Sequence, residues 1–97
     1  MDDTLEELMQ DRYYDALHHC GYRYRDMLLD DPAVESSDPL WVFTMTFLFG
    51  CRDRLPLMKL NRWLGYIQGC LIERGYTTVQ AERDFTRPLF RPLDFPA

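Results

Sequence analysis

The sequence predicts an all-α fold, a small bundle of about four helices ending in an extended, proline-containing C-terminal tail. Three observations point there. Apolar residues recur at steps of three and four over residues 5–20 and again over 57–74, the spacing that gathers side chains on one side of a helix. Thr4 with Glu7, and Thr77 with Gln80, have the form of capping boxes, which satisfy free amides at a helix start. Pro56 before the second periodic segment and Gly75 after it stand where helices begin and end. At 97 residues the chain is a single domain, 1–97, and its 46% hydrophobic content is enough for one core.

The elements follow in order. In helix 5–20, Leu5, Leu8, Met9, Tyr13, Ala16, Leu17 and Cys20 form the stripe, and Gly21 takes the place of a left-handed cap. Residues 22–31 admit two readings, a short strand from alternating Tyr22, Arg23, Tyr24 and Arg25, or a helical turn over 26–29. Residues 31–39 form a loop bounded by Pro32 and Pro39. For 40–54 a helix is expected, with Asp38 as cap and Pro39 in its first position. Trp41, Phe43, Met45, Phe47 and Phe49 alternate with smaller residues, however, so the alternative is an α+β fold with a strand at 40–49. In helix 57–74, Gly65 and Gly69 lie four apart, which implies a closely packed neighbour. A short helix, 78–86, is ended by Arg87-Pro88. The tail then repeats Arg-Pro-Leu twice, with Leu89, Phe90, Leu93 and Phe95 gripping the core.

Composition narrows the functional classes. Three cysteines, an odd number well separated in sequence, read as buried thiols in a reducing compartment. Asp2 and Asp3 occupy positions where a signal peptide needs positive charge, and the longest apolar stretch, 40–51, is too short for a bilayer. The expected location is therefore the cytoplasm, without membrane contact. His18, His19 and Cys20 are consecutive and point in three directions on a helix, so no metal site is expected, and no cofactor. Cys20 beside the histidines has the composition of a nucleophile and base, but no catalytic signature surrounds it, and the chain is not expected to be an enzyme.

Charge is the most distinctive feature. Residues 1–38 carry eleven acidic against three basic side chains, net −8, and residues 39–97 carry five against eight, net +3. Asp3, Glu7, Asp11 and Asp15 advance by four residues each, about 6 Å along a helix axis with a slow rotation of about 40°. Asp26, Asp30, Asp31, Glu35 and Asp38 extend the acidic set. A rigid line of negative charge can occupy a groove built for nucleic-acid phosphates. The basic cluster Arg52, Arg54, Lys59 and Arg62 offers another reading, direct nucleic-acid binding, against which the sequence pI near 4.8 argues.

Residues 60–71, followed by Gly75, Thr77-Thr78-Val79, Glu82-Arg83-Asp84 and the Arg-Pro-Leu tail, resemble small phage and prophage proteins. The similarity covers roughly the last 45 residues. As a class, small acidic phage proteins resemble inhibitors of host defence such as anti-CRISPR proteins, several of which present negative charge in place of DNA. The resemblance implies a phage-encoded inhibitor of a host nucleic-acid-binding complex, a protein or ribonucleoprotein with a basic groove. It carries no catalytic residues. The positive net charge of the C-terminal part departs from the class. The alternative function is a phage interaction or assembly module with an aromatic contact surface.

Overall fold

The computed structural model describes the backbone of residues 2–95 and the side chains of residues 4–95. Among the described residues there are four helices and no strand: α1 (Asp2–Leu29), α2 (Pro39–Arg52), α3 (Leu57–Glu73) and α4 (Val79–Asp94). Successive helices run in alternating directions. Tyr14 of α1 meets Leu55 just beyond α2, while Gly21 meets Leu48, so α1 and α2 are antiparallel. Gln68 of α3 donates to the Tyr24 hydroxyl at 2.8 Å, which sets α3 alongside α1. The pairs Tyr13–Phe90, His19–Phe85 and Arg23–Glu82 run α4 back down α1.

The core belongs to the first three helices. Leu17, Cys20, Tyr24 and Leu28 of α1 pack with Leu40, Phe47 and Cys51 of α2 and Leu60, Leu64, Ile67 and Leu71 of α3. In α4 the only buried residue is Glu82. Phe85, Leu89 and Phe90 pack half-buried against the core from outside.

The helix expected at 5–20 is longer, because Gly21 does not stop it. A methyl group at Gly21 would sit 2.5 Å from the Leu48 side chain, so this glycine lets α1 and α2 approach closely. Its helix cost of about 1 kcal/mol is outweighed by packing on both sides. Residues 22–29 are accordingly helical. Thr4 lies inside α1, which already includes Asp2, and Leu5 and Leu8 on the expected apolar stripe are 63% and 54% exposed. They lie in the first turns, before the buried part of the stripe begins at Ala16.

Residues 40–49 are helix. Asp38 accepts from the Leu40 amide at 2.9 Å and Pro39 occupies the first turn, the start that the sequence indicates. Leu40, Thr44, Phe47, Leu48 and Cys51 are buried while Val42 and Phe49 are exposed, a helical spacing hidden beneath the alternation. The third helix has its expected punctuation, with Pro56 at the start and Gly75 in the left-handed region at φ 84°. A methyl group at Gly65 or Gly69 would meet nothing within 4 Å, so the close neighbour expected there is not present among the described residues.

The largest correction concerns the tail, which is not extended. Helix α4 continues through Pro88 and Pro92 to Asp94. An internal proline costs about 3 kcal/mol of helix stability. Contacts along α1 offset this cost, including His19 stacked on Phe85 at 5.6 Å and Tyr13 against Phe90 at 6.0 Å. Leu93 is half-buried, whereas Phe95 is 76% exposed and does not grip the core. Thr78, one residue later than expected, caps α4 by accepting from the Ala81 amide at 3.1 Å.

Candidate functional site

Helix α1 is the scaffold of the acidic series. Its buried residues, from Ala16 to Leu28, face α2 and α3, and its flank at Arg12, Asp15, Ala16 and His19 borders α4, where Asp15 stands exposed at the rim of a groove lined by Pro88, Leu89, Pro92 and Leu93. The remaining outer side carries Glu7, Asp11 and Asp15, all exposed, and nearer its end Asp26, also exposed, with exposed Asp30 just past the end. At 1.5 Å per residue, residues 7 to 26 of α1 span about 29 Å. Asp3 lies in α1, but its side chain is outside the described residues.

The carboxylates differ in what holds them. Glu7, Asp15 and Asp30 make no ion pair or hydrogen bond among the described side chains. Asp11 pairs with Arg54, and both side chains stay about half exposed. Arg54 itself adopts a left-handed backbone, φ 56°, in the turn after α2, and its guanidinium lies 4.4 Å from the Tyr14 ring. Asp26 pairs with its neighbour Arg25 at 3.0 Å. His18 and Tyr22 stack between the two acidic groups, at 5.2 Å, so the line of charge is interrupted.

Beyond α1 the carboxylates belong to the turn. Asp31 accepts from the Tyr76 hydroxyl at 2.6 Å and the Ala33 amide at 2.9 Å, bonds that lower its pKa. Glu35 is exposed and accepts from the Ser37 hydroxyl at 3.5 Å. Asp38 receives both terminal nitrogens of Arg74, at 2.8 and 2.9 Å, as well as the Leu40 amide. Those partners, Arg74 first, bring its pKa down to about 2. The structure therefore places the expected acidic residues in two groups, not one face.

Sequence reasoning missed Glu82. It is 4% exposed and joins α4 to α1 through Arg23 at 3.0 Å, with the Thr77 hydroxyl donating at 2.6 Å. Burial alone would raise its pKa and is the strongest single influence, but the donors Arg23 and Thr77 bring it below the ordinary glutamate value. Thr77, paired with Gln80 as a capping box in the sequence, instead donates its hydroxyl to Glu82.

The basic cluster is dispersed over neighbours. Arg52 pairs with Asp53 and lies 4.8 Å from the Phe49 ring, Arg54 serves Asp11, and Lys59 lies 5.5 Å from the Trp63 ring. Arg62 is exposed. Cys20 is buried, and burial pushes its thiol up to about 12, which keeps it protonated and away from solvent. Burial also pushes Cys51 up to about 12, whereas Cys70, expected to be buried, is half-buried. Among the described residues no three His, Cys, Asp or Glu side chains converge on a metal position, and no helix is long and apolar enough to cross a membrane.

No protein-family model matches the sequence, and neither curated proteins nor solved structures include a significant match.

Proposed function

We infer that this chain is a non-catalytic, phage-encoded inhibitor that docks the outer side of α1 against a basic, nucleic-acid-binding groove of a host defence complex. The observation that carries this reading is the rigid placement of Glu7, Asp11 and Asp15, exposed on one side of a 28-residue helix. Charges already fixed in position lose little entropy on pairing. Glu7 and Asp15 have no partner to give up among the described residues, whereas Asp11 must exchange Arg54 for a cation of the partner. The downstream carboxylates Asp26 and Asp30 continue the negative field toward the far end of α1. Each exposed pair contributes only about 0.2–1 kcal/mol, so the contact depends on several acting together.

The test is competition with DNA for a panel of purified DNA-targeting CRISPR effector complexes. The wild-type chain is expected to block loading of DNA onto at least one complex, less strongly as salt rises. Reversing Glu7 and Asp15 to lysine should leave circular dichroism unchanged and weaken the block by about tenfold, or roughly 1.4 kcal/mol. Equal inhibition by the two proteins, or none by either, removes the reading.

A second reading, an interaction or assembly module, draws on the exposed apolar side chains Val42, Phe49, Met58 and Tyr66 of α2 and α3. Binding through that surface would persist as salt rises, since apolar contact is not screened.

A further inference from the structure

At the end of α1 the chain turns back through residues 30–38 and encloses an open pocket of about 270 Å³. Leu28 and Leu29 of α1, Val34 of the turn and Trp41 of α2 supply apolar walls. Asp31 and Glu35 also line it. The two carboxylates are held differently. Asp31 is fixed by the Tyr76 hydroxyl and the Ala33 amide, one donor on each oxygen. A carboxylate has about four acceptor positions, so two remain. Glu35 accepts only the long bond from Ser37. Neither carboxylate forms an ion pair with a lysine or arginine among the described residues.

The chemistry of the pocket selects its occupant. An uncharged apolar group would cover the walls but strip water from two carboxylates without replacing it, which is costly. An anion would be repelled. A cationic head on an aliphatic stem satisfies both parts, with the stem along Leu28, Leu29 and Val34 and the charge near Asp31 and Glu35. Arginine suits this better than lysine. Its guanidinium is planar, weakly hydrated, able to stack on an indole and able to donate to two carboxylates at once. Leu29, 58% exposed, then has a use at an otherwise polar turn.

We propose that this pocket receives an arginine side chain of the protein partner. The proposal rests on the reading that the partner's surface is basic. It places a second, separate contact about 30 Å along α1 from Glu7. The partner would be gripped at both ends of the helix, by charge at one and by an inserted side chain at the other.

The experiment uses blocked tripeptides, Gly-Arg-Gly, Gly-Lys-Gly and Gly-citrulline-Gly, titrated into the full chain. The readouts are Trp41 indole N–H chemical shift and tryptophan fluorescence, with Trp63 as internal control. The arginine peptide should shift Trp41 saturably and leave Trp63 unmoved. Citrulline, the same shape without charge, should bind at least about tenfold more weakly, and lysine should fall between. Glu35→Gln, at an exposed position, should weaken the arginine peptide severalfold without altering the fold, while Glu7→Lys with Asp15→Lys should not. Equal shifts from arginine and citrulline, indifference to Glu35→Gln, or no saturable shift would each overturn the proposal. If the pocket fails but DNA competition still depends on Glu7 and Asp15, the reading of α1 survives alone. If the pocket binds arginine while the lysine reversal leaves competition unchanged, the acidic face fails and the pocket stands.

Discussion

Along the first half of α1, Glu7 and Asp15 are exposed and have no ion-pair or hydrogen-bond partner among the described residues. Past its other end, Asp31 and Asp38 are tied into the fold, one to Tyr76 and one to Arg74 and the first amide of α2. In sequence the two groups look alike, as acidic residues scattered among polar and apolar neighbours. The difference lies in what the fold brings opposite them. The chain after α3 returns Arg74 and Tyr76 to the α1–α2 turn, whereas the outer side of α1 stays exposed between α2 and α4, with Asp11 met by Arg54 and Asp15 at the edge of the α4 groove. Acidic residues of a short chain thus differ in how far the fold already engages them, from Asp38 with three donors, through Asp31 with two and acceptor positions to spare, to Glu7 and Asp15.

Glu82 extends the first group to its limit and should give the largest effect. Replacing it with alanine leaves Arg23 partly buried without its anion. Arg23 keeps 30% of its side chain in water, so the loss falls toward the lower part of the range for a broken buried pair, about 2–4 kcal/mol. Urea unfolding should show a lower midpoint with nearly the same slope. An unchanged midpoint would mean that α4 is held by its aromatic contacts alone.

Much of the architecture was legible because its signals are local. Asp38 followed by Pro39, the stripe from Leu60 to Leu71, and Gly75 after it each specify a helix boundary or face by residues within a few positions. Failures arose where a residue answers to something distant. Gly21 reads as a stop until Leu48 is seen against it. Pro88 and Pro92 read as extended chain until α1 is alongside, and Glu82 reads as a surface glutamate until Arg23 arrives from 59 residues away. The same holds for the candidate site. Exposure of Glu7, Asp11 and Asp15 follows from their offset from the apolar stripe. The engagement of Asp11 with Arg54, 43 residues on, and the pocket beside Trp41 depend on the turns after α1 and α2.

Acid should reveal the first group and spare the second. Asp31, Asp38 and Glu82 all have pKa values lowered by folding, so the unfolded chain takes up protons before the folded one does. Their stabilisation is complete above the ordinary values of 3.8 and 4.5, and it is lost as pH falls toward about 2, the value for Asp38. The melting temperature should therefore hold level from neutral pH to about 5 and decline below that. Asp38→Asn together with Glu82→Gln should flatten the decline. A curve of the same shape in that double variant would assign acid sensitivity to other carboxylates.

Asp38 allows its two roles to be separated. Alanine removes both the cap and the anion facing Arg74, and should lower the melting temperature by about 5 °C. Asparagine is a good cap but has no charge, so it should recover at least half of that loss. If both substitutions cost the same, the Arg74 pair carries the effect and the cap contributes little.

The smallest effect is expected at Glu7 and Asp15, and its smallness is what makes the comparison sharp. Both are exposed and without a partner among the described residues, so Glu7→Gln with Asp15→Gln should change unfolding free energy by no more than about 0.5 kcal/mol. A small increase is the more physical direction. Removing two like charges from a helix that also bears Glu6, Asp11 and Asp26 relieves repulsion along its outer side. The opposing influence is the helix dipole, which favours a carboxylate near the N-terminus and weakens beyond the first turn, where both of these residues lie. Thermal and urea unfolding of this variant at low salt, where exposed charges interact most, should show a midpoint equal to or slightly above wild type. A clear destabilisation would place these carboxylates among those the fold requires and remove the distinction between the outer side of α1 and the turn.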